Sequence, residues 1–272
     1  MTLTSLKFGT AAALALLLAD PAPATDVTME FDSDNFDTPL VIDNQYWPQE
    51  PGAEFLYLAE TEDGCEWGVV TVTNDTKVIS VPGQDPVAVR VVSDFEYEDD
   101  DCGGPVPAEL KEKTFDWYGQ DDSDNIWYFG EDTQNCPNGE GSCTPGGGAW
   151  EAGVNGALPG IIMLGDPDSG ERYRQEIAED VALDWAKVMN TNNHPVLRDE
   201  DAFPPGEWDD CLVIKEWNEL EPGSVEQKTY CPDADGLVLV EEHSGKLVRF
   251  ELVQPTASAG SDAFTFRVPP RN

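Results

Sequence analysis

The sequence predicts an all-β fold, an antiparallel meander that forms a barrel-like or sandwich domain stabilised by disulfides. Three observations carry this. The stretch Phe115–Asp132 (FDWYGQDDSDNIWYFGED) places Phe115, Trp117 and Tyr118, then Trp127, Tyr128 and Phe129, on either side of a polar turn over Gly119–Asn125. Aromatics suit a pleated surface, and Gly, Asp, Ser and Asn tolerate turn dihedrals, so the stretch reads as a hairpin pinned by cross-strand aromatic pairs. Short strand-like runs recur with turn signals about every eight to twelve residues and no clear long helix. Six cysteines are spaced for bridging.

In chain order, residues 1–24 read as a secretory signal peptide, with Lys7 ahead of the apolar Ala11–Ala19 and the small residues of Ala22-Pro23-Ala24. Cleavage near Ala24 predicts a secreted or periplasmic protein, and no later segment approaches the ~20 apolar residues of a membrane span. Residues 25–45 are an acidic lead-in, expected to be exposed, and 46–254 a single β-rich domain. Its strands are expected at Glu54–Glu60, Glu66–Thr73, Thr76–Val81 and Val87–Tyr97, then at Leu110–Tyr118 and Ile126–Phe129 of the central hairpin. A glycine-dense region follows, with short ordered pieces at Trp150–Gly153 and Leu158–Met163. Glu171–Ile177 comes next, and Val181–Val188 has both a helical and a strand reading. After a polar loop, Glu207–Glu219, Ser224–Cys231, Gly236–Glu242 and Lys246–Val253 make a four-strand meander. Residues 255–272 form a C-terminal tail with one further strand at Ala263–Val268.

Exported cysteines favour disulfides over metal ligation. Cys136 and Cys143 bracket a Pro/Asn/Gly/Ser loop. Cys211 and Cys231 lie equidistant from Glu221, beside the Pro222-Gly223 turn, so a simple hairpin sets them opposite each other. Cys65 and Cys102 remain.

The formal net charge is −39, from 54 acidic and 15 basic residues. With no basic patch evident, this argues against nucleic acid or an anionic membrane as partner. It fits an acidic surface in saline surroundings, or specific cation sites. Oligomeric state is not readable.

Several phrases in order resemble a group of exported bacterial proteins frequent in actinobacteria and their relatives. These are Asn44-Gln45-Tyr46-Trp47-Pro48, Asp116-Trp117-Tyr118, Asn125-Ile126-Trp127-Tyr128-Phe129-Gly130-Glu131-Asp132, Trp150-Glu151-Ala152-Gly153, Leu158–Met163, Tyr173-Arg174-Gln175-Glu176 and Ala178-Glu179-Asp180. The resemblance covers roughly residues 43 to 242 and implies an exported β-rich domain. This chain departs from it in its acidity and its cysteines.

Motifs for a serine nucleophile, a phosphate loop or a dinucleotide are absent, and His194 and His243 read as surface residues. Carboxylates are the abundant reactive groups. Glu131, Glu151, Glu176, Glu179 and Asp180, with Arg174 close by, are the candidate catalytic residues for glycoside hydrolysis, which needs two carboxyls at a set separation. Trp127, Trp150 and Tyr173 are the candidate ligand-stacking residues. Asp121, Asp122 and Asp124 offer hard oxygen ligands that make calcium the candidate ion, although the EF-hand pattern fails. The turn Gly165–Gly170 is a second such site. The favoured reading is a non-catalytic binding domain for a small ligand or glycan. The alternatives are a carboxylate-dependent enzyme acting on extracellular polysaccharide and a cell-surface structural or interaction protein.

Overall fold

A computed structural model describes residues 25–255 except 101, 103–108, 198–207 and 244–245. The signal segment and the strand expected at Ala263–Val268 lie outside the described residues. The strands are β1 (Thr25–Asp26), β2 (Glu54–Thr61), β3 (Gly64–Ile79), β4 (Val87–Asp99), β5 (Glu109–Gln120), β6 (Ile126–Asn135), β7 (Thr144–Pro145), β8 (Trp150–Glu151), β9 (Gly160–Met163), β10 (Glu171–Arg174), β11 (Asp184–Asn193), β12 (Cys211–Asn218), β13 (Val225–Cys231), β14 (Gly236–His243) and β15 (Leu247–Pro255). Only three single-turn 3-10 segments interrupt them among the described residues.

All strands belong to one sheet in the order β1-β10-β11-β12-β13-β14-β15-β2-β3-β4-β5-β6-β7, with β8 and β9 also paired to β6. Every pairing is antiparallel except β1 with β10. A sheet this wide curls under its own twist, which brings β9 towards β10. No ladder joins them, so the barrel is not closed. The seam is held instead by one bridge, Leu158 to Ile177, and by close backbone approach. A Cβ on Gly160 would lie 2.1 Å from the Gln175 carbonyl oxygen, so only glycine fits there.

Particular residues explain the elements. Val181–Val188 resolves as strand: β11 begins at Asp184, because Trp185 and Lys187 face out while Ala186 and Val188 are buried. The two strands expected over 66–81 are one long β3 with an irregularity between Val72 and Thr76. The β12–β13 register is the one a hairpin centred on Glu221 requires, with Leu212 opposite Tyr230 and Trp217 opposite Val225. Cys211 and Cys231 are therefore bridged across the pair, and the other bridges join Cys65 to Cys102 and Cys136 to Cys143.

The lead-in does more than expected. Its acidic side chains are largely exposed, but Phe31 and Phe36 pack at 5.4–6.0 Å from each other and from Trp127 and Phe129 on the outer face of β6. Farther on, Asn44 is buried and donates to the Asp124 and Leu164 carbonyls. That turn seats Trp47 against Tyr118 at 5.0 Å and Tyr230 at 6.0 Å, which plugs one end of the curled sheet.

One bulge shapes the interior. Asp116 pairs with Glu131 and Tyr118 with Tyr128, so β6 spends three residues where β5 spends two. The extra residue lies at Gly130, which has φ +124. In a regular strand, residues three apart face opposite sides. Here both Tyr128 and Glu131 face in. A Cβ on Gly130 would lie 2.2 Å from the Trp150 carbonyl oxygen. Gly130→Ala is therefore expected to lower stability by about 1–3 kcal/mol through strain at that position. Urea unfolding checks this, and an unchanged midpoint would show that the bulge does not depend on glycine.

Candidate functional site

The curled sheet encloses a cavity of ≈ 420 Å³. Strand alternation decides what lines it. Along β4 the inward residues are Val92, Asp94 and Glu96; along β5, Glu112, Thr114, Asp116 and Tyr118; along β13, Glu226, Lys228 and Tyr230. Each series runs from charged at the mouth to apolar or aromatic at the plugged end. The floor comprises Trp47, Tyr57, Tyr118, Tyr128 and Tyr230, with Tyr118 and Tyr128 stacked at 4.9 Å. The wall carries eleven carboxyl side chains against one cation, Lys228.

These carboxyls are not scattered. Glu96 stands opposite Glu112, Asp116 opposite Glu131, and Glu216, Glu226 and Glu242 form one row across three strands. Like charges directly opposite each other destabilise a sheet. The chain relieves the repulsion by protonation and by Lys228. Burial pushes Asp94 up to about 6. Burial, then the neighbouring charges of Asp94, Glu112, Glu242 and Glu66, pushes Glu96 up to about 8. Glu96 is exposed to solvent in the cavity mouth, which weakens that shift.

Deeper, two carboxyl pairs are joined by hydrogen bonds, one through Tyr128 and one directly. Tyr128 Oη lies 2.6 Å from Asp116 Oδ1 and 2.9 Å from Glu131 Oε2. A phenol has one proton, so it donates to one carboxylate, and the other carboxyl must be protonated and donate back. Burial and the Glu131 charge hold Asp116 well above the usual carboxylate range, which assigns that proton to Asp116. Glu176 is likewise held well above its ordinary value, first by burial and then by its hydrogen bond to Asp184 and that group's charge. Trp150 Nε1 donates to Glu176 Oε1 at 3.1 Å, and Asn218 Nδ2 to Asp184 Oδ2 at 3.1 Å.

Lys228 Nζ bonds Glu216 at 2.6 Å and Glu226 at 3.1 Å. Burial opposes its charge, but these two carboxylates outweigh burial and hold its pKa well above that of a free lysine. Gln175 Nε2 donates to the second Glu216 oxygen at 2.8 Å.

Of the residues singled out from sequence, the cavity brings together Glu131 and Glu176. Glu151 lies outside, paired with Lys77 at 2.7 Å, and Lys77 sits 3.1 Å above the Trp117 ring. Glu179 and Asp180 form an exposed turn, with Asp180 at φ +62. Arg174 is on the outer face, 4.2 Å from the Trp185 ring. Among the aromatics, Trp150 buttresses Tyr128 at 5.4 Å and Glu176 from behind. Tyr173 is buried beside the seam, its hydroxyl 3.5 Å from the Ile162 carbonyl. Trp127 lies under the lead-in. None of the three lines the cavity.

The acidic turn serves the hairpin. Asp121 Oδ1 accepts from the Ser123 and Asn125 amides, and its Oδ2 accepts from Trp127 Nε1 at 2.8 Å. Asp122 accepts from the Asp37 amide and Asp124 from Gln120. Among the described residues no group of three or more His, Cys, Asp or Glu is placed to hold a metal ion.

Sequence reasoning missed Asp94, Glu96, Glu112, Asp116, Asp184, Glu216, Glu226, Lys228, Asp235 and Glu242. For those on strands the signal was present as charged or polar residues at alternate strand positions, but alternation does not say which face turns inward. No family model, curated protein or solved structure matches this chain.

Proposed function

We propose that this is an exported binding protein that takes a small organic cation into the curled sheet. The observation that carries the reading is the cavity itself: a tyrosine and tryptophan floor below a wall of carboxyls. Aromatic faces attract ammonium groups, and more so where water is displaced. Ionised carboxylates beside them supply the counter-charge, and binding would relieve the repulsion built into the wall. The cavity volume lies within the range of small-molecule sites. Three disulfides, and the lack of any described helix long and apolar enough to cross a membrane, fit a secreted protein. Calcium has no part in the reading, because the oxygens of Asp121, Asp122 and Asp124 serve backbone and side-chain donors.

Thermal melts with choline, spermidine and glucosamine, each beside a neutral analogue of similar shape, test it. At least one cation is expected to raise the melting temperature with its concentration, as a ligand of the native state must, while its neutral analogue does not. Equal shifts from cation and neutral analogue would reject charge selection and favour a neutral glycan.

One observation favours a second reading, a carboxylate-dependent hydrolase. At the cavity wall, burial and the neighbouring Asp184 raise the pKa of Glu176, the direction a general acid needs. Its neighbour Asp184 is too close for the second group, since glycosidases separate the two carboxyls by about 5 Å or more. Glu131 is the remaining candidate. Any polysaccharide hydrolysis that Glu176→Gln abolishes without loss of fold would displace the binding reading.

A further inference from the structure

The outer side of the same wall carries the opposite charge. Alternation that turns Asp184 and Glu216 inward turns Trp185, Lys187, Lys215 and Trp217 outward. Register aligns them in two rows across β10, β11 and β12. Arg172 stands opposite Lys187, and Lys187 opposite Lys215; in the next row Arg174 stands opposite Trp185, and Trp185 opposite Trp217. The rings of Trp185 and Trp217 are parallel within 4° at 6.2 Å, and the guanidinium carbons of Arg172 and Arg174 lie 5.0 and 4.2 Å from the Trp185 centroid.

The two arginines are neutralised, Arg172 by Asp26 at 2.7 Å and Arg174 by Glu219 at 3.5 Å. Lys187 and Lys215 face each other across the ladder and have no ion pair among the described residues. They line a groove of ≈ 560 Å³ with Trp217, bounded by the Pro222–Gly223 turn. Opposed lysines weaken a strand pair, and in a chain with 54 acidic residues a partner carboxylate would be easy to supply. A cationic row left open beside an indole fits a ligand that brings both an anion and an apolar ring face.

We propose that this groove binds a short acidic saccharide, with a uronate carboxylate on Lys187 and Lys215 and the C–H face of its pyranose on Trp217. The ligand is short because a longer polyanion running past the groove would come within the ~8 Å Debye length of the acidic surface and be repelled there. The same repulsion disfavours a second copy of this chain as the occupant. The groove opens on the other side of the wall and requires the opposite charge in its ligand, although Trp217, Asn218 and Ser224 line both it and the cavity.

Calorimetric titration with trigalacturonate tests the proposal, with its methyl ester as the neutral control. The acid is expected to bind at least about tenfold more tightly than the ester, as two charge-assisted contacts predict. The double substitution Lys187→Gln/Lys215→Gln should weaken the acid by a similar factor while the melting temperature holds or rises. Trp217→Ala should weaken both forms, and Asp94→Asn in the cavity should change neither. Equal affinity for acid and ester, no binding of either, or unaltered affinity in the double lysine variant would overturn the proposal. So would dimerisation by sedimentation velocity that the lysine variant abolishes, which would assign the face to self-association.

Discussion

Acidifying the unligated protein from about pH 8 to about pH 5 is expected to raise its melting temperature. The sign follows from the direction of the interior shifts. A carboxyl whose pKa is raised by folding keeps a proton in the native state that the unfolded chain has released. Its contribution to stability is therefore fully present below the unfolded value, near 4 for a carboxyl, and is lost as pH rises through the folded value. For Asp94 that loss is complete a little above pH 6 and for Glu96 a little above pH 8. Asp94 alone corresponds to about 3 kcal/mol before discount for the solvent that reaches it through the cavity. Even half of this moves the melting temperature by roughly 3–6 °C in a domain of this size. Solvent at the mouth screens Glu96 and weakens its share. Surface carboxylates titrate too, so Asp94→Asn is the discriminating variant. It should raise the melting temperature at about pH 8 and flatten the profile between pH ~5 and ~8. A profile parallel to that of the unsubstituted protein would place the pH dependence on the surface instead.

The second large effect is expected at Lys228, the one cation on a wall of carboxyls. Lys228→Met leaves Glu216 and Glu226 without their counter-charge. Removing one partner of a buried ion pair costs about 3–5 kcal/mol. The Nζ of Lys228 bonds both glutamates within 3.1 Å, but its side chain is 25% exposed and that of Glu226 36%, so solvent screening puts the loss in the lower part of that range. The loss should be greatest near neutral pH and shrink in acid, because burial raises the pKa of Glu216 and lets it become neutral there. Adding Glu216→Gln to Lys228→Met should recover part of the stability. Denaturant unfolding at two pH values measures both effects. A loss independent of pH and unrelieved by Glu216→Gln would mean that Lys228 acts through the packing of its alkyl chain.

The two sides of the β10–β12 wall also clarify the acidity. A charge of −39 suggests a uniformly acidic body, yet among the described residues four basic side chains gather on one outer face and Lys228 is the one that lines the cavity. Net charge describes the far field; strand alternation decides where each sign is felt.

Much of the fold was legible because its determinants are local. The hairpin over Phe115–Asp132 follows from turn chemistry between aromatic runs, and the Cys211–Cys231 bridge from symmetry about Glu221, since a hairpin fixes register by counting from its turn. Both are properties of neighbours in sequence. Val181–Val188 was ambiguous for the converse reason: a short apolar run has no period long enough to separate helix from strand, and pairing with β10 and β12 decides it. The candidate site depends on long-range geometry. The motif-based choices Glu151, Glu179, Asp180 and Arg174 fell outside the cavity because closeness in sequence to an aromatic does not fix which face of the sheet a carboxyl occupies. Glu131 reaches the interior only because the Gly130 bulge reverses the alternation after Tyr128. By itself the sequence determined most of the strands, the central hairpin turn and the cysteine pairs. Only the curl of the whole sheet decided which face became the inside, and so turned alternate polar positions on β4, β5 and β13 into the wall of a cavity.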